Sequence, residues 1–266
     1  MEYLCQHCNN DINANFCSNC GQKRYKRIDR KYVFDEIQYS LIHTNKGFLY
    51  SVKNIIQNPG KTAREFIIGD RVNHYKPLLL VFVLSGISTF LSFKVIGFDK
   101  IMTSYFASQH LNSPYMNDMM SVMYSYYSFL MLFAIPFFAF ATKIAFNKWG
   151  QNYYEHIIMN SYIVSFYTIF SVVVIYPILF LLRHNIAAFI AVSGTATLIV
   201  PVILVWFFKN FYRDISLKTI ISRVLLVFLL LFALYFILII IVVAGGFAYA
   251  IFKGPEALEY MMPPKA

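Results

Sequence analysis

The chain has 266 residues, 58% of them apolar and only 14% charged, with a formal net charge of +10. A soluble domain carries about 25% charged side chains, so this balance excludes one or two ordinary globular domains. Several apolar runs exceed the roughly 18 residues that mark a membrane helix, and they do not alternate polar with apolar, which excludes a barrel. The prediction is an all-α polytopic membrane protein.

Residues 1–22 read MEYLCQHCNNDINANFCSNCGQ and hold all four cysteines. Cys5 and Cys8 form one C-x-x-C pair, and Cys17 and Cys20 form another. Each pair places two thiolates on one tight turn. Two such turns face to face make a tetrahedral, closed, structural site, and four sulfur ligands suit Zn2+. So short a segment buries no core of its own, so the metal supplies its folding energy. A redox pair would need a strand–helix context that is missing here. His7 reads as a bystander, and Gly21 as a turn residue able to take positive φ. No apolar segment precedes the cysteines, so a cleavable signal is not expected, and the ribbon is placed in the reducing cytoplasm.

A basic linker follows at 23–32, with Lys23, Arg24, Lys26, Arg27, Arg30 and Lys31 against a single acid. It reads as a membrane-proximal segment for anionic inner-leaflet lipid or a protein partner; a nucleic-acid patch is the weaker reading. Residues 33–74 form a cytoplasmic amphipathic segment. Phe34, Ile37 and Leu41, then Phe48, Val52 and Ile55, recur at helical spacing, with Gly47 as a break. The stripe suits either the lipid interface or the face of a helix bundle.

Asn58-Pro59-Gly60 reads as a turn. Gly60-Lys61-Thr62 looks like the end of a phosphate loop, but that pattern needs Gly where Ile55 stands. A capping box with Thr62 as N-cap and Glu65 at N3 is expected instead, opening a helix to about Ile68. Gly69-Asp70-Arg71 then turns the chain toward the bilayer.

The tetra-cysteine ribbon with Gly21-Gln22, the Asn58-Pro59-Gly60 turn, and Phe66-Ile67-Ile68-Gly69-Asp70-Arg71 leading to Tyr75-Lys76-Pro77 together resemble a bacterial membrane-protein family catalogued as domain of unknown function 3667, common in Bacteroidota. The resemblance covers about residues 1–90 and implies architecture rather than chemistry. A looser similarity is to the five-helix Yip-type membrane proteins.

Five transmembrane helices are predicted in 75–252: about Pro77–Phe98, Met119–Thr142, Ile157–Leu182, Ile186–Phe208 and Val224–Phe252, the last broken at Gly245-Gly246, before a tail at 253–266. Ser85, Gly86, Ser88, Thr89 and Ser92 give the first a small-residue face for helix packing. Whether the third and fourth both span, or form a re-entrant pair about Arg183-His184-Asn185, stays open. With the N-terminus inside, the inner segments hold 18 of the 23 Lys and Arg. The positive-inside rule then places the chain in the bacterial inner membrane, N-terminus cytoplasmic and C-terminus periplasmic.

Ionisable side chains at membrane depth mark function, and none falls near a helix centre. Glu155, His156 and Asn160 make the best polar cluster, read as a helix start at the interface or as a cation or lipid-headgroup site completed by His74 or Arg71. An inverted metalloprotease would need His where Asn152 stands. The twenty tyrosines read mainly as an interfacial belt, with Tyr124, Tyr126 and Tyr127 able to line a cavity. The expected function is non-enzymatic: a scaffold, sensor or assembly factor whose ribbon and basic segment dock a cytoplasmic protein or anionic lipid. The alternatives are a transporter or channel for a small or lipid-like solute, and a membrane enzyme acting on lipid.

Overall fold

The computed structural model describes residues 4, 5, 8, 10–12, 14–20, 47–69, 74–111, 113–254, 260 and 262, without the side chains of 247–250, 252 and 253. The expectations for His7, Gly21, the basic linker, Phe34, Ile37, Leu41 and Arg71 lie outside these residues. The chain divides into two compact units, 1–45 and 46–266.

In the first unit an isolated antiparallel bridge pairs Leu4 with Asp11, and the Cys5 N–H donates to the Asn10 carbonyl at 2.9 Å. Ile12 is buried against Cys5 and Cys17.

The second unit is helical. Two short helices, α1 (Gly47–Gln57) and α2 (Pro59–Ile68), precede the spans. The expected capping box is corrected here. Asn58 is the N-cap of α2, its side-chain oxygen accepting from the Lys61 N–H at 2.9 Å, with Pro59 in the first turn. Thr62 lies inside the helix, 2% exposed, and its hydroxyl donates back to the Asn58 carbonyl. Asn outranks Thr at an N-cap, and proline is preset for the first helical turn. Gly69 ends α2 at φ 128, a conformation only glycine adopts freely. Gly47 is the first described residue of α1, so the break expected there borders residues outside those described.

Among the described residues, five helices are long and apolar enough to cross a membrane: Pro77–Ile96, Tyr127–Ala145, Tyr153–Leu182, Ile186–Phe211 and Leu217–Gly246. The first is α3 (Pro77–Phe90) extended by a π-helical turn, Leu91–Ile96. The expected start of the second span at Met119 is corrected. Residues 98–125 fold as two separate helices, α4 (Phe98–Ser108) and α5 (Pro114–Ser125), and the span is α6 (Tyr127–Ala145). The break at Tyr126 has no Gly or Pro to announce it, so apolar composition alone runs across it. Ser113 caps α5, accepting from the Met116 N–H at 3.1 Å.

The third span joins α7 (Tyr153–Phe170), a second π turn (Ser171–Ile175) and α8 (Tyr176–Leu182). Pro177 explains the wide turn, since its ring clashes with the carbonyl four residues back and the π register makes room. The Tyr176 N–H accordingly donates to the Ser171 carbonyl. The fourth span is α9 (Ile186–Ala196) and α10 (Ile199–Phe211), jointed at Thr197–Leu198. Pro201 cannot donate to Thr197, whose carbonyl instead accepts from Val200 at 3.1 Å. The fifth, α11 (Leu217–Lys253), is continuous, so the expected break at Gly245-Gly246 is corrected. A glycine costs a helix only about 1 kcal/mol relative to alanine, too little here to end an apolar span.

Helices α3, α6 and α7 form the centre of the bundle, with α11 against α6 and α10. α1 and α2 pack on α7, and α2 also on α10, at what is here termed the cap end; α4 and α5 adjoin the far end. Ile55, Ala63, Tyr75, Phe146, Phe207 and Phe208 share one core cluster. The apolar stripe of α1 therefore faces the bundle. α11 is held by its first half, through Ile220, Val224 and Val227.

Candidate functional site

The tetra-cysteine head is the clearest site. Cys5 and Cys17 are buried, Cys8 half-buried and Cys20 exposed. Their four sulfurs lie within 4.8 Å of one another. The Cys5–Cys20 separation is 3.6 Å and the Cys8–Cys17 separation 3.5 Å. A disulfide needs about 2.05 Å, so these are not disulfides. A tetrahedral zinc site with bonds of about 2.3 Å places its sulfurs about 3.8 Å apart, and the cluster fits that spacing. The Cys20 and Asn19 N–H groups hydrogen-bond the Cys17 sulfur, with further help from the Cys8 and Cys20 side chains. Led by the Cys20 bond, they lower this thiol to about 7 against the opposing effect of burial. A thiolate is the form that ligates a metal. The four residues would hold one metal ion in a closed shell with no position for substrate.

The second candidate splits on inspection. His156 (0% exposed) and Asn160 (3%) do come together, and the side chain that joins them is Thr142 of α6. The Thr142 hydroxyl accepts from Asn160 Nδ2 at 2.8 Å, and His156 Nδ1 lies 3.1 Å from the same oxygen. Asn160 also donates to the His156 carbonyl. Glu155 takes no part. It forms a capping box with Asn152, accepting from the Asn152 N–H at 2.7 Å while Asn152 accepts from the Glu155 N–H at 3.0 Å. That box explains Asn152 where a protease pattern would demand histidine. His74 sits elsewhere, edge-on to Tyr50 at 5.1 Å and Phe66 at 6.1 Å. The trio of Thr142, His156 and Asn160 thus pins α6 to α7 one turn in from the cap end. Thr142 left no mark in the sequence beyond a hydroxyl near the end of an apolar run.

The cap itself rests on a motif read earlier only as a turn. Asn58 Nδ2 donates to Asn210 Oδ1 at 2.8 Å, and Asn210 Nδ2 donates to the Trp206 carbonyl. A Cβ on Gly60 would lie 2.2 Å from the Phe207 carbonyl oxygen, so only glycine allows α2 this close to α10. The Tyr75 N–H donates to Ser51 Oγ at 2.7 Å, tying the start of the first span to α1. Beside this junction a recess of about 340 Å3 is lined by Arg64, Trp149, Gln151, Tyr212, Arg213 and Asp214, among others. The Tyr212 hydroxyl donates to Gln151 Oε1 at 2.9 Å. Two arginines against one aspartate leave the recess cationic.

A family model described as "Protein of unknown function (DUF3667)" matches residues 45–89, the segment holding α1, α2 and most of α3. No curated protein and no solved structure matches the chain.

Proposed function

For a polytopic membrane protein whose residues 45–89 match the DUF3667 family model, we propose a non-enzymatic role as a scaffold or sensor. Its zinc-bound head docks a protein partner, and its cationic cap end holds an anionic lipid headgroup. The observation that carries this reading is the closed four-sulfur cluster. A metal with no open position staples a fold and performs no Lewis-acid step on a substrate. The bundle supports the same reading, since its described charged side chains lie towards the ends of the spans. Under this reading the head and the cap end face the cytoplasm across the bacterial inner membrane, as the Lys and Arg distribution favours.

Metal analysis of the purified full-length chain tests it. The expectation is one zinc per chain, lowered in Cys17→Ser, together with a partner set that Cys17→Ser and Cys20→Ser lose. No bound metal, or partners unchanged in both variants, would overturn it. For the lipid part, native mass spectrometry should find phosphatidylglycerol retained by the wild type and reduced in Arg64→Gln with Arg213→Gln.

One observation favours a second reading, carriage of a small or lipid-like solute: a hydroxyl-lined cavity that reaches the middle of the spans. Beyond it every residue of α7 from Met159 to Ser165 is buried, which argues against an open path in this conformation.

A further inference from the structure

The far half of the bundle holds a partly open cavity of about 360 Å3, the size of sites that take drug-sized molecules. It is framed by α3, α4, α5, α6, α7, α8 and α9. Ten of its eighteen lining residues are Ser, Thr or Tyr, and none is Asp, Glu, Lys, Arg or His. The others are apolar, chiefly Phe and Met. Tyr124 and Tyr127 line it, whereas Tyr126, grouped with them on sequence, is exposed.

Ser88 and Thr168 place its floor deep in the bundle. Ser88 lies about 17 Å along its span from Pro77, and Thr168 about 22 Å from Tyr153. The wall is partly satisfied from within: Ser88 Oγ lies 2.7 Å from the Tyr176 hydroxyl, and Thr168 and Ser193 donate to carbonyls of their own helices. The Tyr124 hydroxyl is different. It is buried with no hydrogen-bond partner among the described residues. Burial, with Asp99 nearby as a smaller cause, raises its pKa, so it remains a neutral donor. A buried hydroxyl left unmatched is destabilising, a cost that an acceptor on a ligand removes.

Both π-helical turns border the cavity, one through Ser92 and Phe93, the other through Ser171 and Ile175. Such turns are rare and gather at functional sites. The wall also specifies charge. A phosphate group would be buried without a counter-ion, at high cost. A free sugar would find none of the carboxylates or amides that make paired hydrogen bonds to vicinal hydroxyls. What suits hydroxyls spread over aromatic and thioether surface is an uncharged molecule with an apolar body and a few hydroxyl or ester groups.

We propose that this cavity is a binding site for a neutral, hydroxyl- or ester-bearing lipid, its polar end reaching the Ser88–Tyr176 pair and its body lying against Phe93, Met120, Met123 and Met131. The site concerns binding, and it stands whether or not the ligand crosses the membrane and whether or not the head carries zinc.

The test uses the full-length protein in nanodiscs with dioctanoylglycerol as probe, read as a dose-dependent rise in unfolding temperature. Dioctanoyl phosphatidic acid, which adds only a charged phosphate, and free glycerol are the comparison arms. The expected result is a saturable rise with dioctanoylglycerol and none with the other two. Ala196→Phe, which fills the cavity, should abolish the rise. Tyr176→Phe, which removes one hydroxyl and should fold normally, should weaken binding by about fivefold, the worth of one neutral hydrogen bond. No rise in the wild type would overturn the proposal, as would an equal response to phosphatidic acid. A response to glycerol alone would replace the lipid with a polar solute. The same response in wild type and Tyr176→Phe would place the effect in the surrounding bilayer.

Discussion

Gly60→Ala puts a methyl group where the chain has left no room. The Cβ would stand 2.2 Å from the Phe207 carbonyl oxygen and 3.0 Å from Asn210 Cβ. Restoring an ordinary contact of about 3.4 Å requires α2 and α10 to part by roughly 1 Å. Backbone atoms cannot rotate aside, so whole helices must move. That shift also stretches the 2.8 Å bond between Asn58 and Asn210. Overpacking of this kind costs about 1–3 kcal/mol, while alanine returns up to about 1 kcal/mol of helix propensity over glycine. The net expectation is a loss of about 1–2 kcal/mol. At roughly 2–4 °C per kcal/mol for a chain of this size, the unfolding temperature of the detergent-solubilised protein should fall by several degrees, and further for Gly60→Val. Gly86→Ala is the matched control, because a Cβ there meets nothing within 4 Å; it should leave the temperature unchanged or slightly raised. If Gly60→Ala unfolds at or above the wild-type temperature while Gly86→Ala is neutral, the close approach of α2 to α10 is wrong.

Asn58→Asp keeps the helix cap but cannot donate to Asn210, so differential scanning should place it between wild type and Asn58→Ala, which loses both contacts at about 2 kcal/mol in total. Thr142→Val removes the hydroxyl shared by Asn160 and His156, and should cost about 1–2 kcal/mol. The double variant with Asn160→Leu should be less destabilised than two independent losses would give, and strict additivity in thermal unfolding would refute the shared hydroxyl. In metal-stripped protein, iodoacetamide labelling of Cys17 should rise with pH about a midpoint near 7, below the ordinary thiol value of 9.0. Because the folded value is the lower one, the thiolate's contribution to the head is complete above pH 9 and fades as pH falls through 7. A labelling midpoint near 9 would remove the hydrogen bonds assigned to that sulfur. Chelation of the full-length protein should expose the head to protease while leaving the spans intact.

Much of this protein could be read without coordinates. Runs of apolar side chains determine that helices cross the bilayer, because an unpaired backbone cannot be buried in lipid. Two C-x-x-C pairs determine a four-sulfur cluster, because the spacing places two ligands on each turn. Local chemistry also explains the helix start that the spacing misplaced: Asn58 and Thr62 both have cap-forming side chains, and asparagine's stronger cap preference with Pro59 in the first turn decides between them. The break at Tyr126 and the unbroken α11 at Gly245-Gly246 show the same limit, since neither composition nor glycine count fixes a helix end without its neighbours.

What tertiary structure alone decided is which polar groups meet. Glu155 and His156 are adjacent in the chain, yet successive helical residues point about 100° apart. One therefore caps its own helix while the other enters the bundle to find Thr142. Asn58 and Asn210, 152 positions apart, carry no sign of each other in sequence. The cavity walls come from seven helices and the π turns, and all but α4 supply one or two hydroxyls that would pass as ordinary helix-packing residues. Composition settles where a chain can go, because transfer free energy adds residue by residue. Pairing and cavities depend on the directions of side chains from distant segments, and only the folded bundle sets those.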